Sequence, residues 1–146
     1  MMKVFITGAF GFIGDRLLNA IDSPIRILSR IGRPNYETVI CDFEKDNIPP
    51  NALDGIDTVF HLAGFAHDMR DASKIVDLYY KVNVSATVQL AELAVRAGVK
   101  RFVFVSSVKA GGVPSLGVCS SEIDQGNPEG AYGKTKQEAE LSLLKI

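Results

Sequence analysis

The chain has 146 residues, 16 Lys and Arg against 17 Asp and Glu, and a formal net charge of −1. That length fits one domain with its own core, because a chain of this size buries about 68–70% of its extended surface. With 47% hydrophobic and 23% charged residues, the composition excludes a disordered chain, and the balanced charge leaves no footprint for a nucleic-acid backbone.

In chain order, Lys3–Thr7 is a short apolar run that ends at Gly8. Gly8, Gly11 and Gly14 break up the next eight residues, so the N-terminus reads as a strand entering a turn and not as a signal peptide. Phe12, Ile13, Leu17, Leu18 and Ile21 then recur at helical spacing. Further apolar runs stand at Ile25–Ser29, Thr38–Cys41, Asp57–Leu62 and Arg101–Ser106, the last being the most β-prone. Apolar residues at consecutive positions suit strands covered on both faces, as in parallel sheets.

Arg30–Glu37 contains Gly32 and Pro34 and has no room for a helix, so it is expected to be a loop. Asp42–Leu53 and Lys109–Pro128 are longer loops of the kind that often carry function. A long helical pattern spans about Ser73–Ala97, with Asp71 or Ser73 as N-cap and Gly98 as the C′ glycine. A last helix is expected from about Glu129 or Ala131 to the end. Strand, helix and strand at these spacings imply βαβ units in a doubly wound, three-layer α/β/α parallel sheet. No apolar run reaches the roughly 18–20 residues of a membrane span. The two cysteines, Cys41 and Cys119, have neither disulfide nor metal spacing, so a reducing cytoplasm is the expected setting.

Thr7-Gly8-Ala9-Phe10-Gly11-Phe12-Ile13-Gly14 lies between the first strand and the first helix. Gly8 permits a tight turn, Gly11 lets backbone approach a pyrophosphate, and Gly14 lets the helix pack closely. The N–H groups near Phe12 and Ile13 sit at a helix N-terminus, which favours an anion. This context points to a dinucleotide rather than to a turn rich in glycine for packing alone. The second strand ends Leu28-Ser29-Arg30, with Arg33 nearby and no carboxylate to grip a ribose 2′-hydroxyl. Ser29 and Arg30 suit a 2′-phosphate, which favours NADP over NAD; the alternative is that Arg30 is simply solvated. Asp42 either accepts from an adenine amino group or caps its own loop, and with Phe43 it joins the candidate cofactor residues.

The fifth strand ends in Ser106 and Ser107, facing the crevice where such sheets bind ligands. Downstream, Tyr132 and Lys136 stand at i and i+4, on one face of the last helix. A phenol with a pKa near 10 is a poor base at neutral pH, and a nearby ammonium favours its phenolate. Lys136 would also hold the nicotinamide ribose, and Ser107 the substrate oxygen whose proton Tyr132 exchanges. His61 reads as a hydrogen-bonded core residue, and His67 as either solvent-exposed or touching substrate. Cys41 reads as a buried small hydrophobe and Cys119 as an exposed loop residue.

TGAFGFIG at 7–14, HLAG at 61–64, VNV at 82–84, FVFVSS at 102–107 and YGKTK at 132–136 span nearly the whole chain. In this set the chain resembles the N-terminal part of an extended short-chain dehydrogenase/reductase, of the nucleoside-diphosphate-sugar epimerase/dehydratase family. The resemblance implies a Rossmann fold in which Gly8, Gly11 and Gly14 hold the pyrophosphate. It also implies that Leu62, Ala63 and Gly64 line the cofactor, and that Asn83 steadies the strand ends. Ser107, Tyr132 and Lys136 would be the catalytic triad, with Ser106, Tyr132 and Lys136 also at the cofactor.

HLAG followed by His67-Asp68-Met69, with Ser106-Ser107-Val108-Lys109, looks most like bacterial UDP-hexose or UDP-N-acetylhexosamine 4-epimerases of polysaccharide biosynthesis. Gly111-Gly112 replace the aromatic and Gly that the family commonly has there. The family continues past the equivalent of Ile146 into further strands and a smaller substrate domain. Residues 1–146 are therefore expected to form an NAD(P)-binding domain with an incomplete sheet, poorly active alone. The implied activity is nucleotide-sugar 4-epimerisation through a 4-keto intermediate. The alternatives are an NADP-dependent keto-sugar or carbonyl reductase and a non-catalytic dinucleotide-binding module. A homodimer through the 73–97 and 129–146 helices is a further implication.

Overall fold

The computed structural model describes residues 1–66, 75–112, 117, 119–124 and 126–146. The proposed N-caps Asp71 and Ser73 and the segment His67-Asp68-Met69 lie outside the described residues. Five strands form one sheet: β1 (Val4–Thr7), β2 (Ile25–Ser29), β3 (Glu37–Ile40), β4 (Thr58–His61) and β5 (Arg101–Phe104). Their order is β3-β2-β1-β4-β5 and every pair is parallel. The order reverses at β1, so the C-terminal ends of β1 and β4 flank the switch point where such sheets bind ligands. Thr7 is in register with Leu28 on one side and His61 on the other.

The unbroken apolar runs are explained by what lies on each side of the sheet. Val4 and Ile6 pack with Ala9, Leu18 and Ile27 beneath α1 (Phe12–Ala20). Phe5 and Val59 pack on the opposite face, with Leu53, Leu90 and Leu93 among their neighbours. The loop after β3 contributes Phe43, Ile48 and Ala52 to that second core. It is held by the Ile48 N–H donating to Gln89 Oε1 at 3.2 Å and by Arg26 donating to the Ala52 carbonyl at 2.9 Å. Arg30–Tyr36 is a connection without a helix, as expected.

The long helical pattern is not one continuous α-helix. It divides into α2 (Val76–Tyr80), a π turn (Lys81–Ser85) and α3 (Ala86–Arg96). The Ala86 N–H reaches back five residues to the Lys81 carbonyl. The extra residue turns Asn83 inward, where it is 1% exposed. α3 ends as expected at Gly98, whose φ is +70°, with the Val99 N–H bonded to the Ala94 carbonyl at 2.9 Å. A short 3₁₀ turn (Val108–Ala110) comes after β5, and α4 (Gly130–Leu143) packs beside it and beside the π turn. Among the described residues, no helix is long and apolar enough to cross a membrane.

Candidate functional site

The glycine turn is built by sterics. Gly8 has φ +68°, and a Cβ there would lie 2.7 Å from the Ala63 nitrogen. A side chain is therefore excluded both by the left-handed backbone and by the adjoining β4 loop. At Gly14 a Cβ would run into the Gly8 carbonyl and come within 2.6 Å of the Ala9 oxygen. Gly14 thus serves close packing of α1 on the turn. Gly11 is exposed and N-caps α1 with no side-chain acceptor. The first-turn N–H groups at Phe12 and Ile13 therefore keep their donors for an anion.

A cleft of about 650 Å³ opens above this turn. Of the candidates, Gly8, Gly11, Ser29, Arg30, Asp42, Phe43, Ala63 and Gly64 line it. Asp42 caps its own loop, its Oδ1 accepting the Glu44 N–H at 3.0 Å, and it also lines the cleft. Ser29 Oγ accepts the Ile31 N–H at 3.4 Å, and Arg30 is exposed. Leu62 does not line the cleft; it is half-buried against the core beneath α1.

Phe10, Arg33, Phe65 and Val82 also line the cleft and were not among the sequence candidates for cofactor binding. Arg33 lies 4.2 Å over the Phe10 ring, and Phe10 meets Tyr36 edge-on at 5.9 Å. The aromatic residue inside the glycine motif was the available signal for this clamp.

Ser107, Tyr132 and Lys136 do not line this cleft; they lie on the 3₁₀ turn after β5 and on α4. Ser107 caps the 3₁₀ turn, its Oγ accepting the Lys109 N–H at 3.3 Å. Tyr132 lies half-buried in the first turn of α4. Lys136, 3% exposed, donates from Nζ to the Val105 carbonyl at 2.8 Å and sits 3.9 Å over the Phe104 ring. Burial lowers its pKa to about 8, against a smaller opposing pull from Glu140. Asn83 ties the loop after β4 to α4: Oδ1 accepts the Phe65 N–H at 2.7 Å, and Nδ2 donates to the Phe65 carbonyl and to Thr135 Oγ1, each at 3.1 Å.

Two buried polar atoms among the described residues, Arg33 Nε and Ser106 Oγ, have no hydrogen-bond partner. Such orphans, an open glycine cradle and uncapped helix donors fit an anionic ligand with further polar groups. Cys41 lines the cleft but is buried, and burial with Asp46 and Asp42 nearby raises its thiol pKa to about 11. Among the described residues, no group of three or more His, Cys, Asp or Glu side chains is placed to hold a metal ion.

Residues 4–146 match the NAD dependent epimerase/dehydratase family. The chain is 34% identical to a UDP-glucose 4-epimerase of Vibrio cholerae, over 99% of this chain and 47% of that protein. It is 35% identical to the N-acetyl-alpha-D-glucosaminyl-diphospho-ditrans,octacis-undecaprenol 4-epimerase of Escherichia coli O157:H7, over 97% of this chain and 42% of that protein. Among solved structures, MoeE5 in complex with UDP-glucose and NAD superposes with a TM-score of 0.84 at 33% identity, covering 98% of this chain and 48% of that one. The chain thus spans about half the length of the relatives it matches. Over nearly its whole length, then, it belongs to the NAD-dependent epimerase/dehydratase family.

Proposed function

We propose that this chain is the dinucleotide-binding part of a nucleotide-sugar 4-epimerase. The observation that carries the reading is an open glycine cradle at the sheet's switch point, with Tyr132 and Lys136 one turn apart on α4 and Lys136 bonded to the end of β5 supporting it. The 4-epimerases among its relatives support the substrate class. The pyrophosphate would lie against Gly8, Gly11 and the α1 N–H groups, with the adenosine end between Phe10, Arg33, Asp42 and Phe43. Arg30 and Arg33, with no carboxylate on the tip of β2, favour NADP; the NAD named in the MoeE5 complex favours NAD. Titration with each dinucleotide separates the two.

When bound, the nicotinamide supplies reversible hydride exchange. Tyr132 would take the proton of the sugar 4-hydroxyl and later return it, while Ser107 holds that oxygen. Lys136, charged below its lowered pKa of about 8, would hold the nicotinamide ribose hydroxyls. Its present bond to Val105 secures the ammonium in place beside that helical turn. Asn83 would hold the β4 loop against α4 through Phe65 and Thr135. Exposed Val76, Tyr80 and Val95 on α2–α3 and Leu141 on α4 support a homodimer through these helices.

The test is turnover of a UDP-hexose by the protein that carries this chain at full length. The 4-epimer should form with no net consumption of added dinucleotide, and Tyr132→Phe should abolish turnover while dinucleotide still binds. A reductase would instead consume NADPH stoichiometrically. Turnover by Tyr132→Phe at the parent rate would refute the assignment of the base.

A further inference from the structure

His61 is fully buried at the end of β4, and its two ring nitrogens bond to different parts of the site. Nδ1 lies 2.6 Å from Thr7 Oγ1 and Nε2 lies 2.8 Å from Thr87 Oγ1. The hydroxyls decide which nitrogen carries the proton. Thr87 Oγ1 is 2.8 Å from the Asn83 carbonyl, which can only accept, so the single hydroxyl proton of Thr87 goes there. Thr87 must therefore accept from His61, and Nε2 is protonated. Nδ1 is then the bare nitrogen and accepts from the Thr7 hydroxyl, whose oxygen receives the Ala63 N–H at 3.1 Å.

From Ala63 to the Asn83 carbonyl, every donor in this series has one acceptor. It runs from Ala63 in the cleft wall, through Thr7 beside Gly8, His61 and Thr87, to the carbonyl of Asn83 in the π turn. The Asn83 side chain carries it onward to Thr135. The single hydroxyl proton of Thr135 lies between the carbonyls of Ala131, at 2.9 Å, and Tyr132, at 3.0 Å. The ring is also boxed by aromatics, stacked on Phe104 at 5.6 Å and edge-on to Phe43 at 6.1 Å. Phe104 is the same ring that carries the Lys136 ammonium.

We propose that His61, held as the Nε2–H tautomer between Thr7 and Thr87, is a positioning residue. It sets the glycine turn and the Ala63–Phe65 wall in register with the π turn and, through Asn83 and Thr135, with the first turn of α4. The proposal rests on the dinucleotide reading of the cleft. Neither His61 nor Thr87 lines that cleft, so an effect of either on binding is transmitted through this series. Burial, and to a lesser degree the charge of Lys136, keeps the ring neutral. An imidazolium would present two donors and would have to reverse the Thr7 bond.

The test has two arms on the same chain. The first is ¹⁵N NMR of the His61 ring, which is expected to show one Nε2–H tautomer, unchanged between pH 7.5 and about pH 5.5. The second is calorimetric titration with NAD and, separately, NADP. Thr87→Val is expected to weaken binding of the preferred dinucleotide by roughly three- to tenfold, the span set by losing one neutral hydrogen bond. Thr87→Ser should restore it. Ile56→Val, a core change at the opposite end of β4, should lower stability without moving affinity. An Nδ1–H tautomer overturns the proposal, as does parental affinity in Thr87→Val. No uptake of either dinucleotide by the unaltered chain refutes the cleft reading and the proposal together, whereas uptake unaffected by Thr87→Val refutes the proposal alone.

Discussion

Gly14→Ala sets two backbone effects against each other. Alanine is preferred over glycine in a helix interior by about 1 kcal/mol, so on propensity alone the change in α1 would stabilise. The added Cβ, however, would press on the Gly8 carbonyl and lie 2.6 Å from the Ala9 oxygen. Both are backbone atoms of a turn already committed by Gly8 at φ +68°, and neither can swing aside as a side-chain end would. Overpacking of this kind costs about 1–3 kcal/mol and sometimes more, so steric cost wins over propensity.

For a chain of this length, about 2–4 °C of Tm accompanies each kcal/mol. Because neither backbone atom can give, the cost lies in the upper part of that range, a net of about 1–2 kcal/mol after propensity, and the variant should melt about 2–8 °C below the parent in a thermal scan read by circular dichroism. It should also bind dinucleotide more weakly, because α1 and its Phe12 and Ile13 donors must back away from the turn. Gly55→Ala is the comparison: φ is +71°, and nothing lies within 4 Å of the added Cβ, so only backbone strain of about 1–2 kcal/mol applies. A Gly14→Ala chain as stable as the parent, or more so, would refute the close packing of α1 on the turn.

Acid should destabilise the chain through His61, whose buried ring has its pKa lowered to about 3. The unfolded ring takes a proton near pH 6.5 and the folded one does not, so stability is complete above pH 6.5 and falls below it. The loss is about 2 kcal/mol by pH 5, read from urea midpoints; a flat profile between pH 6.5 and 5 would contradict the burial. In the native chain a thiol reagent should label Cys119 rapidly and leave Cys41 untouched until urea is added, because Cys41 is buried with its pKa raised to about 11. Equal rates would count against that burial. Asn83→Ala should cost about 1–3 kcal/mol by chemical denaturation, since it leaves the Phe65 N–H without its acceptor; a neutral result would show that the β4 loop does not depend on it.

The sheet was legible because every strand except β3 is a run of apolar residues with a core on one or both faces, and β3 still begins beside its predicted run. The glycine turn was legible for a related reason: its spacing records steric exclusions at Gly8 and Gly14 that no other residue satisfies. The π turn was not legible. Val82 and Val84 continue an apolar pattern that one inserted residue barely disturbs, yet that residue is what turns Asn83 inward. Nor could residue spacing show that Lys136 bonds the Val105 carbonyl, because that depends on how α4 packs across β5. His61 was readable as a core residue from its place in an apolar strand. Its partners Thr7 and Thr87 are 54 and 26 positions away and meet it only through the β1–β4 register and the α3 crossover.

The central claim is that a nicotinamide dinucleotide is seated over the turn from Gly8 to Gly14. Amide chemical shifts of the ¹⁵N-labelled chain, measured during titration with NAD and NADP, address it most directly. The largest saturable shifts should fall on Gly8, Gly11, Phe12 and Ile13, with Asp42 and Ala63 moving at the same midpoint. Shifts confined to other parts of the sheet, or none with either dinucleotide, would contradict it.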